Sequence, residues 1–80
     1  MDDLVRKVIA VAEAEQASSV TRIRVRLGAL SHFTPGHFAE HWVDATRGTL
    51  AEGAEVDASM DDELSGDTAQ GVVLEAVEVR

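Results

Sequence analysis

Val20-Thr21-Arg22-Ile23-Arg24-Val25-Arg26-Leu27-Gly28 is the stretch on which the fold turns. In an extended chain successive side chains point to opposite faces, so Ile23, Val25 and Leu27 share one face and Arg22, Arg24 and Arg26 the other. The pattern predicts a strand with one buried and one wet face, ended by Gly28. Something else in the chain must then cover the apolar face.

Two segments supply that cover. Upstream, from Asp2 to Gln16, apolar Leu4, Val5, Val8, Ile9 and Ala12 recur at helical spacing. Asp2 and Asp3 suit the positive end of the helix dipole, and Ser18 and Ser19 break the pattern. Downstream, after a loop from Ala29 to Phe33, Thr34-Pro35 reads as an N-cap followed by proline at the first helical position. The helix it opens runs to about Thr46, with Phe38, Trp42 and Ala45 on one stripe and Gly48 placed to terminate it.

The remaining segments alternate. Val56, Ala58 and Met60 interleave with Asp57 and Ser59 as a second strand. Gly71 to Val79 reads as a third, in which Val73, Val77 and Val79 share parity and Leu74 joins them only through a bulge near Glu75. Between them, residues 61–70 are polar and acidic around Gly66, a surface loop. Two one-faced helices and three half-apolar strands bury their faces together as an α+β fold, with both helices on one face of a small, mostly antiparallel three-stranded sheet. The arginine stripe then faces solvent, opposite acids such as Asp57, Glu75 or Glu78. No linker, repeat or low-complexity segment divides residues 1–80, which read as one domain.

The totals narrow the function. Eighty residues with 15 acidic, 7 basic and no cysteine carry a formal charge of -8. The absence of cysteine removes disulfides, thiolate zinc sites and cysteine nucleophiles together. The negative balance argues against nucleic acid and anionic membrane surfaces as partners. No apolar run has the length of a membrane helix and no signal-peptide pattern opens the chain, so the expected location is the cytoplasm.

Three histidines could carry chemistry. His37 and His41 stand four apart on the second helix, on one face and within reach of one ion, and His32 lies in the preceding loop. Imidazole suits nickel and zinc, so the three form a candidate metal site. The competing account leaves the histidines on the helix flank beside Glu40 or Asp44 while Phe38 and Trp42 face the core. The literal order His37-x-x-Glu40-His41 also matches an inverted zinc-peptidase motif, but such enzymes need a third ligand and a substrate cleft. No nucleophile stands with a base, so no enzyme is expected. Asp61, Asp62, Glu63 and Asp67 lack the ligand spacing of a calcium loop and read as a solvated turn.

The run Val20 to Ser31 with its Leu27-Gly28-Ala29-Leu30-Ser31 ending, Pro35 opening a helix, Thr46-Arg47-Gly48-Thr49-Leu50-Ala51-Glu52-Gly53-Ala54-Glu55-Val56, and the closing Leu74-Glu75-Ala76-Val77-Glu78-Val79 together resemble the HypA/HybF family of hydrogenase nickel-incorporation proteins. The resemblance implies a chaperone that passes nickel to the large subunit of a nickel-iron hydrogenase, working with a maturation GTPase. It also implies the helices-on-sheet fold. Two departures matter. Family members begin Met-His-Glu-Leu, whereas Met1-Asp2-Asp3 here runs straight into Leu4-Val5, about six residues short of the family start by the helix alignment. Nickel is then expected through a segment upstream, with a misplaced start codon as one account. Where the family inserts a zinc ribbon, residues 61–70 form a short loop, so no structural zinc is expected. The alternative function is a metal-free adaptor docking on a hydrogenase subunit or the GTPase. An unpaired sheet edge would allow an edge-paired or domain-swapped dimer beside the monomer.

Overall fold

The arginine-striped strand, β1 (Val20–Gly28), is the middle strand of a three-stranded sheet in a computed structural model that describes residues 2–28, 34–61 and 71–80. β2 (Glu55–Asp61) pairs with it in parallel and β3 (Val72–Val79) antiparallel, giving the order β2-β1-β3. Helix α1 (Asp2–Ala14) leads into β1, and α2 (Pro35–Ala45) makes the crossover that a parallel pair requires. The two helices and the sheet close on one core, and the α+β architecture is the one expected.

Alternation in β1 does what the sequence requires. Ile23, Val25 and Leu27 are fully buried with Val8 and Ala12 of α1 and Phe38 and Trp42 of α2, and Val5 of α1 is buried beside them. Val20 joins them although its parity from Ile23 is wrong. An irregularity in the β1–β3 pairing between Val20 and Arg22 takes up the odd residue, and Thr21 there donates its hydroxyl to the Glu78 carbonyl at 3.2 Å.

A second irregularity settles the phase of β3. Arg24 pairs with Ala76 and Val25 with Leu74, so Glu75 is the extra residue of a bulge. Leu74 and Val72 thereby pack against the core with Val77 and Val79, while Val73 pairs with Arg26 and is not among the core-packing residues. The shared parity expected for Val73 is corrected by that bulge; the bulge itself lies where the sequence placed it.

Helix ends follow from local chemistry. Beyond Ala14, Ala17 N–H reaches the Ala12 carbonyl at 2.9 Å and Gln16 N–H the Glu13 carbonyl at 3.0 Å, the paired bonds of a Schellman cap. Gln16 holds the left-handed position with φ 56°, usually a glycine's, so α1 stops two residues before the expected Gln16. At α2 the Thr34 hydroxyl accepts from His37 N–H at 3.2 Å, with Pro35 next.

The segment after α2 is a web of short bonds. Thr46 N–H and hydroxyl both donate to the Trp42 carbonyl, at 3.0 and 2.8 Å. The Thr49 hydroxyl donates to the Thr46 carbonyl at 2.7 Å and accepts from Ala51 N–H at 3.1 Å. Glu52 accepts from Gly48 N–H at 2.6 Å, and Val20 N–H binds the Leu50 carbonyl at 2.8 Å, which ties the turn to the start of β1. Gly53 stands at φ +82°, where an L side chain is strained, although a Cβ would meet nothing. Ala51 and Ala54 point inward from this turn.

Candidate functional site

Two groups of polar side chains could act. The first is the open face of the sheet. Parallel pairing sets Asp57 beside Arg24 and Asp61 beside Gly28, and antiparallel pairing sets Glu78 beside Arg22. Arg22 contacts Asp57 at 3.1 Å and Glu78 at 3.7 Å, and Arg24 contacts Asp57 at 3.4 Å. Arg26 reaches Asp61 at 2.6 Å and Glu75 at 3.1 Å. The hydrogen bond that Arg26 donates to Asp61, and then the charge of Glu75, hold the Arg26 guanidinium above its usual pKa. Asp57, Glu75 and Glu78 meet the stripe as expected. Asp61 does so as the last residue of β2, not as the start of the expected loop; residues 62–70, with Asp62, Glu63 and Asp67, lie outside the described residues. Every arginine in the ladder has an acid, so among the described residues the face is a cross-strand lattice whose three arginines are all engaged.

The second group is on α2. Its buried stripe, Phe38 and Trp42, is fully enclosed with ring centroids 6.4 Å apart, which fixes the helix's rotation about its axis. His37 and His41 each precede one of these anchors by one residue, so a helical step of about 100° swings both imidazoles to the exposed side. Their rings pack at 4.5 Å between centroids, tilted by 47°. Nε2 of one lies 2.9 Å from Nε2 of the other, one donating and one accepting according to tautomer. Asp44, weighed as a histidine partner, pairs with Arg47 at 3.0 Å. His32 lies outside the described residues. Among the described residues no group of three or more histidine and carboxylate side chains is placed to hold a metal ion.

No protein-family model matches the chain. Over 58 residues, 72% of this chain and 53% of the relative, it is 38% identical to the hydrogenase maturation factor HypA of Archaeoglobus fulgidus. Over 58 residues, 68% of this chain and 51% of the relative, it is 43% identical to the hydrogenase maturation factor HypA of Methylocella silvestris. The chain belongs to the HypA family. It spans about half the length of the curated relatives it matches.

The geometry explains one part of this HypA-family chain's resemblance. The stretch Thr46 to Ala54 is the bonded turn that ends α2 and delivers the chain to β2, so its threonines, glycines and small residues serve the backbone. The buried hydroxyl of Thr46 was not singled out from the sequence. A threonine just after a helix and four residues from a core tryptophan was the available signal.

Proposed function

We propose that this chain is a non-catalytic, cytoplasmic accessory protein of nickel-iron hydrogenase maturation that takes part in supplying nickel to the hydrogenase large subunit, alongside a maturation GTPase. The observation that carries the reading is the 38–43% identity to two proteins named as hydrogenase maturation factors, across most of this chain. The absence, among the described residues, of a helix long and apolar enough to cross a membrane agrees with it.

Purified chain, loaded with nickel and mixed with nickel-free large-subunit precursor, tests the reading. The expected result is a complex on gel filtration and nickel transferred to the precursor, faster with the GTPase present. No complex with either partner, with or without nickel, would overturn it.

A second reading keeps the partners and drops the metal. It is favoured by the sheet itself, since β2 and β3 each offer one edge not paired to a strand among the described residues, a surface on which a partner segment can add a strand. A complex that forms equally well without nickel and transfers none would select this adaptor role.

A further inference from the structure

We propose that His37 and His41 form a two-nitrogen chelate on the exposed face of α2 for a divalent transition metal that takes near-right-angled ligands, Ni(II) or Cu(II), in preference to tetrahedral Zn(II). Two imidazole nitrogens bound about 2.0–2.1 Å from one ion stand about 2.8–3.0 Å apart at a right angle and about 3.3–3.4 Å apart at the tetrahedral angle. The Nε2 atoms here stand 2.9 Å apart as a hydrogen-bonded pair, which places them at the right-angled end of that range before any ion enters. Nickel and copper take square-planar or octahedral shells, which are built on that angle.

The helix supplies the rest. Phe38 and Trp42 lock its rotation from below, and the Thr34 and Thr46 caps hold its two ends, so both rings are kept on the exposed face one turn apart. Metal entry requires both rings neutral with the proton on Nδ1. The proton now between the two Nε2 atoms leaves one ring as its Nδ1 takes one up from water, and no net charge is lost. Glu40 falls on the same side of the helix by its 100° step and brings negative charge toward the ion, whereas the charge of Asp44 is already met by Arg47. That opposes the unfavourable positive end of the α2 dipole. With two protein ligands the remaining positions belong to water, which leaves the ion exchangeable.

The inference rests on the helix geometry and not on the maturation role, so its test needs no partner. Ni(II), Cu(II) and Zn(II) salts are titrated separately into the full chain by calorimetry, beside H37A, H41A and H41A/V43H. The last variant keeps the histidine count, but places its second ring at exposed position 43, about 120° round the helix from His37 and out of chelating reach. We expect affinity in the order Cu(II), Ni(II), Zn(II), and a loss of about tenfold or more for nickel in all three variants, because each destroys the second, intramolecular ligand. Metal-free melting curves unchanged from wild type will show that the variants remain folded. Undiminished nickel binding by H41A/V43H would overturn the chelate. Zinc binding tighter than nickel would overturn the assigned metal class.

Discussion

The hydroxyl of Thr46 lies 2.8 Å from the Trp42 carbonyl at 1% residue exposure, and the Thr46 carbonyl in turn accepts from the Thr49 hydroxyl. One side chain thus satisfies the last turn of α2 and sets the start of the bonded turn behind it. Thr46→Val keeps the shape and removes the donor. The Trp42 carbonyl retains the Thr46 N–H, so the loss is that of one buried hydrogen bond plus a hydroxyl's packing geometry, about 1–2 kcal/mol. In a domain of this length that lowers the melting temperature by about 4–8 °C per kcal/mol, which thermal circular dichroism will measure. The His37 and His41 rings behave differently: they are exposed, and their removal should leave the melt where it was.

At the scale of the element, β3 gives the sharper test. Counting by twos from Val77 and Val79 puts Val73 inside and Leu74 outside; the bulge at Glu75 reverses both. Val73→Thr, on the arginine face, should change stability by no more than about 0.5 kcal/mol, whereas Leu74→Ala should cost about 1–2 kcal/mol, reduced from a full core truncation because Leu74 is partly buried. Urea unfolding of the two variants distinguishes the registers, and the opposite ranking would remove the bulge. This strand also marks how far sequence carries. Strict alternation in β1 and the Thr34-Pro35 start of α2 were legible because each is a local rule, period two for a half-buried strand and a side-chain acceptor before a proline. Parity in β3 was not fixed locally, since a bulge is chosen by which partner residues the neighbouring strand presents. Asp61 was read as loop for the same reason: its place at the end of β2 comes from pairing with Gly28 and from Arg26 across the face. The spacing of His37 and His41 was legible and the 2.9 Å approach of their rings was not, because it depends on two rotamers on a helix anchored by tertiary packing.

For the molecule as a whole, the question is whether the two edges left unpaired among the described residues bring copies together. Charge and shape both oppose it. The open face carries three arginines against Asp57, Asp61, Glu75 and Glu78, a balance of three positive to four negative, on a chain whose formal charge is -8. Pairing β2 with β2 would also bring Glu55 and its copy into the seam, and pairing β3 with β3 would have to accommodate the bulge at Glu75 in both copies. Acids and bulges on edge strands discourage pairing with a second copy of the same acidic strand, while leaving the edge to a partner segment of complementary charge. A monomer is therefore expected at physiological ionic strength in sedimentation equilibrium. The repulsion acts between exposed charges, with a Debye length of about 8 Å at 0.15 M salt falling to about 3 Å at 1 M. Any edge-paired dimer should consequently appear first at high salt and dissociate on dilution into low salt. A dimer that is instead strongest at low salt would mean that association runs through opposite charges, and the arginine ladder would have to open to make it.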